Sequence, residues 1–95
     1  MLFVVIGKPK AASTGKERIA RRMSWKYPAG MQMVAEYWPM STELAVIAVA
    51  EADHVASIMQ AIVDWDDVFD LSVVPAVTAE QGLEMAKQMQ TGASA

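Results

Sequence analysis

Residues 31–50 read MQMVAEYWPMSTELAVIAVA, and the fold turns on how that stretch divides. Pro39 has no N–H to give a ladder, so a strand opening at Met31 ends by Trp38. Pro39–Thr42 supplies a tight turn, and a second strand follows over Glu43–Ala50. In the first strand, strict alternation puts Met31, Met33, Ala35 and Tyr37 on one face and Gln32, Val34, Glu36 and Trp38 on the other. The second strand carries Leu44, Val46, Ala48 and Ala50 on one face and Ala45, Ile47 and Val49 on the other. Both of those faces are apolar, the pattern of a strand covered on both sides.

Upstream of the hairpin, Leu2–Gly7 is a short run rich in Val and Ile, suited to a central strand, and Gly7-Lys8-Pro9-Lys10 ends it. Thr14-x-x-Glu17 is a capping box that starts a helix running to about Trp25, with Ile19, Ala20 and Met23 as a narrow apolar stripe. Tyr27-Pro28-Ala29-Gly30 stops it and turns the chain. Downstream, Asp53 is placed to cap a second helix, in which Val55, Ile58, Met59 and Ile62 give the strongest helical period of the chain, ending near Asp64–Asp67. Val68–Ala76 reads as a fourth strand. Thr78 and Gln81 form a second capping box, opening a helix from Ala79 to about Gln90.

The order β-α-β-β-α-β plus a terminal helix specifies an α+β, ferredoxin-like domain with an antiparallel four-stranded sheet. Residues 1–90 form that single domain and 91–95 a disordered tail. Right-handed crossovers place both internal helices on one face of the sheet. The other face needs a cover, either the terminal helix or a second copy of the sheet.

The composition narrows the class of protein. Hydrophobic residues make up 54% of the 95-residue chain, more than so small a domain needs for its own core, which points to a subunit interface or a lined pocket. With no Cys, disulfides, thiolate metal sites and a thiol nucleophile are excluded. No run is long enough to span a membrane and the apolar opening is too short for a signal peptide, so a cytoplasmic protein is expected. Charge is uneven: Lys8, Lys10, Lys16, Arg18, Arg21, Arg22 and Lys26 all precede the hairpin, while the rest of the chain is acidic. A basic helix face of this kind either meets acidic neighbours within the molecule or docks an anionic ligand or partner.

Several residues carry a resemblance. The Met1-Leu2-Phe3 opening strand, the Pro28-x-Gly30 turn, Glu36-x-Trp38, Val49-x-Glu51-Ala52-Asp53, and Trp65 followed by Leu71-x-Val73-x-Pro75-x-Val77 together cover most of the chain. The pattern resembles a small uncharacterised family of the dimeric α+β-barrel superfamily, in which two ferredoxin-like protomers pack sheet on sheet. The resemblance implies a homodimer or higher oligomer formed through the sheet face. It brings no catalytic residue with it. Relatives in that superfamily include haem-degrading and quinol-forming monooxygenases and lactone isomerases, whose ligands sit between sheet and helices. By that analogy Tyr37, Trp38, His54 and Trp65 fall near a pocket mouth, with Glu36 as the acid within reach.

His54, the only histidine, stands in the first turn of the second helix, where the helix N-terminus favours the neutral ring of a base. It has no partner at ligand spacing, so no metal site is expected. Asp66-Asp67-Val68-Phe69-Asp70 spells the DDxxD of prenyl-diphosphate enzymes, but those are large helical proteins, and this segment joins a helix to a strand. Phe69 stands where an EF-hand loop opening at Asp64 needs Gly, and Glu17 stands where a phosphate loop ending at Gly15-Lys16 needs Ser or Thr. The third strand lacks the aromatic platform of an RNA-binding sheet, and the chain is acidic, so nucleic acid is not an expected partner. Trp25, Trp38 and Trp65, with Met31, Met33, Met40 and Met59, are material for a core, an interface or an adaptable cavity.

The sequence therefore leads to an oligomeric binder of a small apolar ligand or a structural protein, with no cofactor. The rivals are a cofactor-independent monooxygenase or isomerase built on His54, and an assembly adaptor of a larger complex.

Overall fold

The computed structural model describes residues 1–94, with side chains described through Thr91. Its elements are β1 (Leu2–Pro9), α1 (Gly15–Ser24), β2 (Met31–Tyr37), β3 (Val46–Ala52), α2 (Val55–Trp65), β4 (Phe69–Ala76) and α3 (Ala79–Ser94). The sheet is antiparallel throughout, in the order β2-β3-β1-β4. The fold is thus α+β and ferredoxin-like with a C-terminal helix. No helix among the described residues is long and apolar enough to cross a membrane.

Local signals hold where the bonds are local. Thr14 caps α1, its Oγ1 accepting from the N–H of Glu17. At α3 the box closes in both directions: Gln81 N–H donates to Thr78 Oγ1 and Thr78 N–H to Gln81 Oε1, each at 3.0 Å. α3 continues to Ser94, past the Gln90 at which the sequence pattern ends it, and Ala95, the end of the expected disordered tail, lies outside the described residues. Gly30 has φ +85°, a left-handed turn open to glycine, and a Cβ there would meet Ser57 Oγ at 2.9 Å. That hydroxyl donates to Ala29 O at 2.7 Å, tying the turn before β2 to α2.

The hairpin departs from its expected form in two ways. β3 begins at Val46 rather than Glu43, so Trp38–Ala45 is a longer loop than the tight turn expected. Ser41 Oγ accepts from Glu43 N–H there, a local bond that competes with strand pairing. β3 then runs to Ala52, leaving His54 rather than Asp53 as the N-cap of α2, with no side-chain capping bond. Second, the β2–β3 register shifts between Met33 and Ala35: Met33 faces Ala50, Ala35 faces Val49, and Val34 is the extra residue of a bulge. The alternation reverses there. Glu36, opposite Ala48, shares a face with Met31, opposite Ala52, whereas strict alternation separates them.

That shared face is covered by α2, and its core is in two parts. One joins Met31, Ala50, Ala52 and Ile58; the other joins Trp65, Val68 and Phe69. Gly7 lets β3 and β4 side chains close over β1, since a Cβ would lie 2.6 Å from Val46 Cγ1. The opposite face presents Val4 and Ile6 beside Val49, Ile47 and Val74. The terminal helix, one of the two covers anticipated for it, does not pack extensively on the sheet, and Leu83, Met85 and Met89 along it are exposed.

Candidate functional site

The first helix determines the site. α1 has only a narrow apolar stripe and buries none of its residues: Ile19 is 48% exposed and Met23 82%. β3 answers with small side chains, Ala48 and Ala50, on the covered face. A weakly apolar helix over a floor of alanines leaves space. The result is a cavity of about 350 Å³ bounded by Val5, Ala48 and Val73 of the sheet, by Ile58, Ala61 and Ile62 of α2, and by Arg18, Ile19 and Arg22 of α1. Trp25, Trp65 and Phe69 line it further, and Trp38, Pro39 and Met40 bring the β2–β3 loop to it.

α1 is held over this space by its last turn. Arg21 makes a two-pronged pair with Asp67, at 2.7 and 2.9 Å, and also donates to Asp64 O. Trp25 Nε1 donates to Asp64 Oδ2 at 2.9 Å, and the Trp25 ring meets Trp65 edge-on with centroids 5.6 Å apart. Hydrogen bonds from Trp25 and Gln60 hold the Asp64 carboxyl below its ordinary range, and the bond from Arg21 does the same for Asp67.

One carboxylate lies within the cavity lining. Glu36, its side chain only 10% exposed, receives Arg22 Nε and Nη2 at 3.0 Å each, Tyr27 Oη at 2.7 Å and Trp38 Nε1 at 2.8 Å. Burial pushes its pKa up, but the bonds from Arg22, Tyr27 and Trp38 outweigh that and hold it below the usual carboxylate range. The Tyr27 hydroxyl is pushed well above its ordinary pKa, by burial first and by its bond to Glu36 second. Glu36 is therefore an ionised, four-donor acceptor, suited to fixing Arg22, Tyr27 and Trp38 in place.

Of the residues the sequence singled out, Glu36, Trp38 and Trp65 line this cavity. Tyr37 is on the opposite sheet face and 66% exposed, and His54 is exposed at the start of α2, outside the lining. The sequence reading placed Arg18 and Arg22 in a basic helix face without assigning either a place in the cavity, and it gave Tyr27 no part in a site. A covered Glu36 does signal that a donor must exist, yet nothing local says which arginine of a basic helix supplies it. Among the described residues no group of three or more His, Asp or Glu side chains is arranged to hold a metal ion.

Fold and site together define a ferredoxin-like α+β protein with a mainly apolar cavity between helices and sheet, lined in part by one partly buried ion pair. Over residues 1–90 the chain matches the family model described as Domain of unknown function (DUF3303), and it belongs to that family. No curated protein and no solved structure matches it.

Proposed function

We propose that this protein is a homodimeric, non-catalytic binder of a small apolar ligand, held in the cavity between α1, α2 and the sheet. The observation that carries the reading is the cavity itself: about 350 Å³, at the lower end of ligand-pocket sizes, and lined chiefly by apolar and aromatic side chains. Binding is favoured over catalysis by the state of Glu36, whose oxygens are already engaged by Arg22, Tyr27 and Trp38 and whose low pKa makes it a poor proton acceptor. The oxygenase or isomerase reading needed His54 in the cavity, and His54 is exposed outside it.

The dimer would form through the uncovered sheet face. Val4, Ile6, Ile47 and Val49 are half-buried there and Val74 is exposed, a surface on which a second sheet packs at about 10 Å. Light scattering is expected to give twice the 10.3 kDa chain mass; a strict monomer would remove the dimer. Ligand binding has a built-in reporter, since all three tryptophans line the cavity. A neutral phenyl-bearing probe is expected to change their emission saturably, with one site per chain, and a strictly linear response would remove the cavity reading.

The adaptor reading has one observation behind it, the exposed Leu83, Met85 and Met89 of α3. It loses that support if truncation after Val77 abolishes self-association, because α3 would then belong to the dimer.

A further inference from the structure

The cavity lining contains three charged side chains among the described residues, Arg18, Arg22 and Glu36. Two of them neutralise each other, with Arg22 Nε 3.0 Å from Glu36 Oε2. Arg21, one residue away in sequence and not in the lining, is likewise matched by Asp67. Arg18 is different. It is half-buried, its Nη1 donates 2.6 Å to the neutral Ser13 Oγ, and its guanidinium lies 5.8 Å from the centroid of the Phe69 ring. It has no carboxylate partner among the described residues. Gly15, also in the lining, lies beside its other edge: a Cβ there would stand in ordinary contact, 3.7 Å from Nη2. Ser13 is itself fixed, its hydroxyl lying within hydrogen-bond distance of Lys10 O and Val68 O, so Arg18 is anchored on one side only.

We propose that the ligand of this cavity is an apolar monocarboxylate, with its hydrocarbon or aromatic body against the cavity wall and its carboxylate on Arg18. This rests on the cavity being the ligand site. A neutral apolar occupant would strip water from Arg18 and give nothing back, which costs free energy. A carboxylate replaces that water with charge-assisted hydrogen bonds to a planar donor group. A dianion would bring a second negative charge with no free cation in the lining to meet it, and a cation would face Arg18 directly. The charge of the lining, one cation in excess, thus selects for a single negative charge on the ligand.

The test compares phenylbutyrate with its uncharged amide, phenylbutyramide, by tryptophan emission, on the wild-type chain and on Arg18→Met and Arg18→Lys. Circular dichroism and thermal unfolding report that each variant is folded. The wild type is expected to bind the acid about tenfold or more tighter than the amide. Arg18→Met is expected to erase that preference, weakening the acid while the amide, relieved of the cost of stripping water from Arg18, binds no more weakly than to the wild type; Arg18→Lys, which keeps the charge but loses the fork, is expected to keep part of the preference. Raising the salt concentration is expected to weaken the acid and leave the amide unchanged. Equal binding of acid and amide by the wild type overturns the monocarboxylate while the cavity reading stands. A preference that survives Arg18→Met overturns the role of Arg18. Binding of neither probe overturns both the proposal and the cavity reading beneath it.

Discussion

α2 places Ser57, Ile58 and Trp65 in the core, whereas α1 buries no residue at all. α2 is apolar along one stripe and is held by burial, which is non-directional and pulls a helix flat onto a sheet. α1 is held at its last turn by Arg21 on Asp67, Arg22 on Glu36 and the Trp25–Trp65 contact that follows it. Directional bonds fix a helix at points without drawing its whole length inward, and the start of α1 is tied in the same way, by Arg18 on Ser13 and Ser13 on Val68 O. Arg18 and Ile19, a turn earlier, therefore border a cavity rather than a core. The difference teaches that a ligand-sized space can follow from how a helix is attached rather than from any one pocket residue.

The comparison breaks most readily at the junction of the two helices. Trp65, 8% exposed, touches Trp25 and Phe69 and lies under Arg21. Trp65→Ala is expected to cost about 3–5 kcal/mol in denaturant unfolding; a loss below about 1 kcal/mol would show that this junction does not hold the fold. A matched pair then separates the helices. Ile58→Ala on α2, 7% exposed in the native chain, should cost about 2–4 kcal/mol, while Ile19→Ala on α1, 48% exposed, should cost less than about 1 kcal/mol. Equal costs would show α1 to be packed like α2.

Glu36→Gln sharpens the other half of the comparison. It keeps the shape but removes the charge that Arg22 faces, with an expected cost of about 1–2 kcal/mol. The pH dependence gives a second readout. Glu36, Asp64 and Asp67 have folded-state pKa values below their unfolded ones, so their stabilisation is present above the unfolded values and is lost as pH falls through the folded values. Stability is expected to decline in acid, from about pH 5 downward, and Glu36→Gln should flatten the decline. An identical slope in the variant would show that Glu36 does not contribute to it. The smallest effect belongs to His54→Ala, expected within about 0.5 kcal/mol because the ring is exposed and makes no capping bond.

Element order was legible in the sequence because its signals are local. Thr14 and Thr78 cap the helices they were expected to cap, and the period of Val55, Ile58, Met59 and Ile62 marks a helix whose Ile58 is buried. The candidate site was half legible. Glu36, Trp38 and Trp65 were singled out by analogy with the α+β-barrel superfamily, and all three line the cavity. The bulge at Val34 was not, since one extra residue leaves no mark on composition yet turns Glu36 onto the face that carries Met31. Nor were Arg22 and Tyr27, whose roles depend on which helix turn comes to lie over which strand. His54 and Tyr37 drew attention as chemically able groups, and able groups are common on surfaces.

The most direct test is to fill the cavity. Ala61 lines it from α2, and Ala61→Phe places a ring in the space a ligand would take. Phenylbutyramide titrated against tryptophan emission should bind the wild type saturably and the folded variant at least about tenfold more weakly. Saturable binding of the same affinity in both would place the probe elsewhere and contradict the cavity as the ligand site.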